Sequence, residues 1–524
     1  MLQTLRVLAL LWLAGAPLEA FSQLHLQQIG HLPFGSLSLS GCKGYVDSTG
    51  REWALIGTSG GVSIVDLQDP AQPVERFQVP GITNNWRELR TWKGFAYVGS
   101  EADSSGITIV DLRQLPDTIF WKNWFGDGAY QGKVRRSHTV QTANGHLFIF
   151  GGGNITDGAV IASLDDPWNP HIVGKFSLNY VHDGFIRGDT LWTSDVYKGQ
   201  CSIVDISDIA DPQLIRVLPT PAKFNHNAEL SDDSRTLFTT HETGSAPLIA
   251  FDVSDVDNIE PLDYYFPSQF PEKEVHNVRV IGDFLVAPSY GGQLTIVDAA
   301  RPENLIETGW AIAGSSLIWD ADPYLPSGIV IATAKLNGLY VYEPTYAHAT
   351  WLEGLVLDSI TGAPVPFARV FVQDTPNADT SRIDGQYKTG AALSGTYWVR
   401  VEKPGYFTKL MQVDLQSGVV TQLNIELTPI LTGVQQSGAP NDFKISPTLF
   451  DGHLGIEVPM KSPFAKEGSI VQMLDAGGKV LLELPLQGAK TTIYPPDHLP
   501  PGVYLLRLCN ERAVSAMERV FKVE

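Results

Sequence analysis

The sequence predicts an all-β protein, a seven-bladed β-propeller followed by two small β-sandwich domains. Three observations predict it. First, a short signature, Gly60-Gly-Val-Ser-Ile-Val-Asp66, recurs from Gly106, Gln200 and Gln293, with weaker copies from Gly158, Pro247 and Gly338. The repeated apolar position falls at Ile64, Ile109, Ile161, Ile203, Ala250, Ile296 and Val341, with gaps of 42 to 52 residues, the period of propeller blades. Second, between residues 25 and 346 the apolar residues alternate in short runs broken by Gly, Asn, Asp and Pro, with no helical period. Third, the repeat stops before Trp351, and two differently patterned β segments follow, separated by a polar stretch at 431–441.

Each repeat unit reads as four strands. In the third, these are the runs beginning at His138, His146, Ala159 and His171, with turns at Asn144-Gly145 and Asp166-Pro167. The Asp of the signature is expected to accept backbone N–H bonds and so start the turn into the outer strand. The seventh unit ends near Tyr346 without an outer strand. Upstream of the first unit, the run Leu26 to Leu32 resembles an outer strand such as Val74 to Val79. It is predicted to complete the seventh unit and remove the open edge of the ring.

Composition limits the partners. A net charge of −20 argues against nucleic acid, whose phosphates need a basic surface. Three cysteines far apart make neither a disulfide framework nor a zinc ribbon; a single Cys42–Cys201 bridge and buried free thiols remain open, with free thiols favoured. Residues 1–22 carry Arg6, an apolar run from Val7 to Ala14 and small residues at Ala16, Ala20 and Ser22, and predict a signal peptide. No later segment has the roughly 18 apolar residues of a transmembrane helix, so the mature chain is expected to be exported without one.

The Ile-Val-Asp signature at this spacing resembles the LVIVD-repeat propellers. Trp86-Arg-Glu-Leu-Arg-Thr-Trp92, Ser137-His-Thr-Val140 and Tyr180-Val-His-Asp-Gly184 are similar to the exported bacterial group called choice-of-anchor B proteins. The propeller so assigned spans 23–348, and the resemblance implies a fold and a varied C-terminal anchor rather than a chemistry. Residues 349–430, with Thr361-Gly-Ala-Pro364, Asp384-Gly-Gln-Tyr387 and Lys403-Pro-Gly-Tyr406, are similar to carboxypeptidase regulatory-like domains. That implies a prealbumin-like sandwich serving as spacer or adhesion unit. Residues 442–524, with Leu474-Asp-Ala-Gly-Gly-Lys-Val480 and Leu499-Pro-Pro-Gly-Val-Tyr504, resemble the C-terminal sorting domain of the type IX secretion system. They depart from it at Ile445-Ser-Pro-Thr448, where Tyr-Pro-Asn-Pro is common. This resemblance implies Bacteroidota-type export, the type IX machinery as a partner, and a cell-surface or extracellular location.

One constellation carries possible chemistry. About 20 to 24 residues before the signature, at the start of each unit's innermost strand, stand His138, His182, His226 and His276. In a propeller these positions line one mouth of the axis. Arg87, Glu88, Glu229 and Asp320 are close enough in sequence to join them. One reading is a ligand or metal site, with neutral imidazoles holding a divalent transition metal and Glu88, Glu229 or Asp320 serving as acid or base. The other is structural, each histidine bonding the neighbouring blade. Two function classes follow: a binding module for an unidentified surface or extracellular ligand, and a metal-dependent hydrolase or lyase. The binding module is preferred. His241-Glu242 reads as a solvated turn pair, and Gly151-Gly-Gly-Asn154 as a strand turn rather than a phosphate loop.

Overall fold

The computed structural model describes residues 23–430 and 443–523, apart from 315, 476, 497, 511, 512 and 516. The predicted signal peptide, 1–22, and the predicted linker, 431–441, lie outside the described residues. Apart from one turn of 3-10 helix, Gly128–Tyr130, the described residues hold no helix. None of them forms a helix long and apolar enough to cross a membrane. The chain falls into two compact units that divide between Thr428 and Pro429.

From Gln23 to Pro344 the described strands form seven antiparallel sheets, numbered here 1 to 7 in chain order, in a propeller-like array. Sheet 1 runs Leu39–Val46, Glu52–Thr58, Gly61–Asp66 and Val74–Pro80, from innermost to outermost strand. Sheets 2 to 6 repeat this order, beginning at Leu89, Val140, Asp183, Asn225 and Arg279. Sheet 3 carries its third and outer strands at Ala159–Ser163 and His171–Phe176, as the repeat pattern predicts. The innermost strands of neighbouring sheets touch from sheet 1 to sheet 6, the innermost strand of sheet 7 meets the second strand of sheet 6, and sheet 7 returns to sheet 1. There Leu39 N–H donates to the Lys335 carbonyl at 2.8 Å, and Lys43 meets Asp322 at 2.5 Å.

The signature strand is the third of each sheet. Its marker residue is fully buried in every sheet, from Ile64 to Val341, because neighbouring sheets cover both faces. Pairing with the outer strand shifts register just after the marker in six sheets, at Ile64/Val65, Ile161/Ala162, Ile203/Val204, Ala250/Phe251, Ile296/Val297 and Val341/Tyr342. A bulge at one repeat position bends these outer strands alike, and sheet 2 pairs without one. The signature Asp then starts the turn: Asp66, Asp111, Asp205, Asp252 and Asp298 each accept the N–H two residues on, at 2.8–3.1 Å.

Sheet 7, Ile318–Asp322, Val330–Ala334 and Gly338–Pro344, takes its outer strand from the other end of the chain. Leu26–Leu32 pairs with Gly338–Pro344, with Leu26 opposite Pro344 and Leu32 opposite Leu339. The residues just before it, Gln23–Leu24, add a fifth strand to sheet 6. Cys42 and Cys201 are buried free thiols, so the alternative of a bridge between them is not realised.

Residues 349–428 form two four-stranded sheets around one apolar core that includes Leu352, Val370, Tyr387, Val399 and Ile425. This part packs against sheet 6 within the same compact unit. Ala349 N–H donates to Asp298 at 2.7 Å, Trp351 Nε1 to the Asn304 carbonyl at 3.2 Å, and Arg301 meets Glu353 at 2.9 Å. The second unit has its own core, around Phe450, Phe464, Met473 and Leu506. Its final strand, Glu518–Lys522, runs antiparallel to Gly502–Asn510 and parallel to Leu449–Phe450.

Candidate axial site

The four imidazoles lie side by side at one end of the axis. Ring centroids are 3.9 Å apart for His138 and His182, 4.3 Å for His182 and His226, and 4.1 Å for His226 and His276. Each of the last three reaches one sheet onward. His182 Nδ1 bonds the His226 carbonyl at 3.2 Å, His226 Nδ1 the His276 carbonyl at 2.7 Å, and His276 Nδ1 the Trp319 carbonyl at 2.5 Å. A carbonyl only accepts, so Nδ1 carries the hydrogen and Nε2 keeps its lone pair. His138 Nδ1 instead meets the Glu101 carboxylate at 2.5 Å.

Burial holds His182, His226 and His276 well below the usual histidine range, and neighbouring imidazoles add to the effect. All three are therefore neutral at pH 7. The cleft they line, with Glu88, Thr139 and Trp319, encloses about 10 Å³. That is room for one water-sized atom and for no organic molecule. His276 Nε2, in a side chain 1% exposed, has no partner among the described residues. Leaving such a group unsatisfied costs about 1–3 kcal/mol.

The structure corrects several expectations for individual residues. Arg87 does not face the arc; its guanidinium donates to the carbonyls of Thr58, Asn84 and Ile82, and it holds a loop. Glu88 does line the cleft, accepting from Trp319 Nε1 at 3.0 Å; burial, with the nearby Asp320 charge, lifts it to about 7. Asp320 is fully buried behind the arc, bound to Arg279 at 2.8 Å, Asn277 at 2.9 Å and the Cys42 N–H at 3.3 Å. Glu229 belongs to the other end of the axis, where Tyr324 donates to it at 2.8 Å.

His241-Glu242 is not a solvated pair. His241 is fully buried, bonded to the Pro247 carbonyl at 3.1 Å, and burial lowers it to about 4. Glu242 turns toward the arc: its carboxylate is 3.9 Å from His226 Nε2 and accepts from Tyr290 at 2.7 Å. Strand pairing carried the missed signal. His241 ends the second strand of sheet 5 directly opposite Asn225, the residue before His226.

Beyond the buried Arg279–Asp320 pair, the axis opens into a basin of about 260 Å³. Lys43, Arg90, Gln141, Glu229, Asp322 and Tyr324 line it. Lys43 also stands 4.9 Å from the Tyr324 ring centre. Counting back from the signature reaches Cys42-Lys43 and the equivalent positions of the other units, whereas Arg90, Gln141, Arg279, Asp322 and Tyr324 follow a few residues later.

Residues 352–428 match the carboxypeptidase regulatory-like domain family. No curated protein is similar to the chain in sequence. Among solved structures the chain is similar to the WD40 β-propeller domain of Doa1, with 12% identity and a TM-score of 0.46, over 61% of this chain and 97% of that one. It is also similar to the computationally designed Ika8 protein, with 8% identity and a TM-score of 0.42, over 60% of this chain and 99% of that one. At TM-scores below 0.5 neither likeness bears on what this chain does.

Proposed function

We propose that this chain is an exported binding module that takes a small, highly polar ligand at the axial basin. In this reading the seven sheets are the blades of one propeller of the LVIVD-repeat, choice-of-anchor B kind. The regulatory-like sandwich braces that propeller. The last 80 or so residues form a second sandwich that addresses the protein through the type IX secretion machinery to the cell surface or beyond, after removal of a signal peptide over 1–22.

The basin carries the proposal. It offers about 260 Å³, near the lower end for small-molecule sites, and presents ammonium, guanidinium, carboxylate, amide and phenol groups together. Such a lining suits a zwitterion or a polyhydroxylated molecule better than an apolar one. Two facts support binding over a metal-dependent hydrolase or lyase. The cleft beside Glu88 is too small for an organic substrate, and Asp320 and Glu229 are already engaged by Arg279, Asn277 and Tyr324.

The test is thermal unfolding of the mature chain with free amino acids and with mono- and disaccharides as probes. A ligand at a hundred times its Kd stabilises by about 2.7 kcal/mol. At least one probe is expected to raise Tm, with the shift abolished in Glu229→Gln. If no probe moves Tm and a probe-soaked crystal shows only water in the basin, the proposal fails.

A further inference from the structure

We infer that His182, His226 and Glu242 form a binding site for one divalent transition-metal ion at the histidine end of the axis. The inference is independent of the basin, which lies beyond the buried Arg279–Asp320 pair.

The donor atoms of these three residues already lie within 4.8 Å of one another. Ligands of one tetrahedral zinc ion, each about 2.1 Å from it, stand about 3.4 Å apart, so the widest pair has to close by up to about 1.4 Å. Glu242 is the residue able to supply that closure. Its side chain is 30% exposed and is held on one oxygen by Tyr290, whereas both histidines are fixed by their neighbours. The imidazoles are prepared as ligands usually are: Nδ1–H is tied to a backbone carbonyl, which fixes the ring and leaves the Nε2 lone pair free.

A second observation points to the same place. His276, deeply buried, lines a cleft with His182 and His226, its Nε2 has no partner among the described residues, and the cleft has room for one water-sized atom. A water on the ion would sit there and donate to that nitrogen. Two imidazoles and one carboxylate select a borderline ion such as zinc, cobalt or nickel over calcium or magnesium, which prefer all-oxygen sites. Two cations stand near the site: Arg279, which lines the cleft, is paired with Asp320 at 2.8 Å, and Lys335 lies over the Trp319 ring, 4.4 Å from its centre.

The experiment uses the mature chain without a histidine tag, stripped by chelator and titrated with Zn²⁺ by calorimetry and with Co²⁺ by absorbance. One ion per chain is expected. Glu242→Gln is expected to weaken binding about tenfold or more, and His226→Ala about a hundredfold or more, while His171→Ala, on an exposed outer strand, leaves it unchanged. His226→Ala also removes a bond between sheets 5 and 6; if it fails to fold, Glu242→Gln, which keeps every imidazole bond, decides. A folded wild-type chain that takes up no stoichiometric ion, or an affinity unmoved by Glu242→Gln, overturns the site. Binding of a polar probe in the basin is expected to survive Glu242→Gln, so the two proposals fail separately.

Discussion

Asp66, Asp111, Asp205, Asp252 and Asp298 show how one side chain serves a repeated fold. Each caps the turn that follows the signature strand, and so the residue recurs with the strand. Asp263 is a different case, since it lies outside the signature, on the outer strand of sheet 5, in a cleft that sheets 5 and 6 form with the regulatory-like part. Burial lifts it to about 6, and the Asp379 charge adds to the shift. The folded value is thus above the unfolded one, near 3.9. The stability contributed by protonated Asp263 is complete below about pH 4 and is lost as pH rises through about 6. Asp263→Asn is therefore expected to gain on the wild type between pH 4.5 and 7.5, by about 2 kcal/mol. Urea unfolding at the two pH values checks this; parallel profiles would refute it.

At the scale of strands, closure of the ring is the step with most at stake. Leu26–Leu32 covers what would otherwise be an open edge on sheet 7. Gly30, where that strand crosses the turn of sheet 1, has no room for a side chain: a Cβ there would lie 2.0 Å from the Pro70 carbonyl oxygen. Gly30→Ala is expected to cost roughly 1–3 kcal/mol, because backbone has to move to admit it. A thermal midpoint equal to the wild type's would show that the closing strand is not held this tightly. Strand pairing is also what brings Glu242 to the arc, since the end of a second strand and the start of its first-strand partner share one mouth.

For the whole molecule, the regulatory-like part is joined to sheet 6 by more than chain continuity. Trp351, 4% exposed, packs with Ile306 and Ala349, and Arg301 meets Glu353 beside it. Residues 23–428 are expected to unfold in one calorimetric transition, and Trp351→Ala, costing about 3–5 kcal/mol, to divide it. Two transitions in the wild type would mean that this contact couples nothing. The export proposal has its own test: removing 442–524 is expected to leave the protein in the periplasm, and normal surface delivery of the shortened chain would defeat it.

The seven-sheet repeat, its register and its closure were legible in the sequence because each depends on local chemistry: alternation, a buried marker every 42 to 52 residues, and an Asp that starts a turn. The four histidines were legible for the same reason, being one position of a repeat counted back from its marker. What the sequence could not carry was direction and partnership. Arg87 and Glu88 are neighbours just before the innermost strand of sheet 2, yet one bonds a loop and the other lines the cleft, a difference in side-chain direction that adjacency in sequence does not carry. Glu242 and His182 are 60 positions apart in sequence and meet only because sheets 4 and 5 converge at the axis. The repeat marked the four histidine positions at the axis; only the packing of sheet against sheet decided which other side chains join them, which of them reach one another, and how little space lies between them.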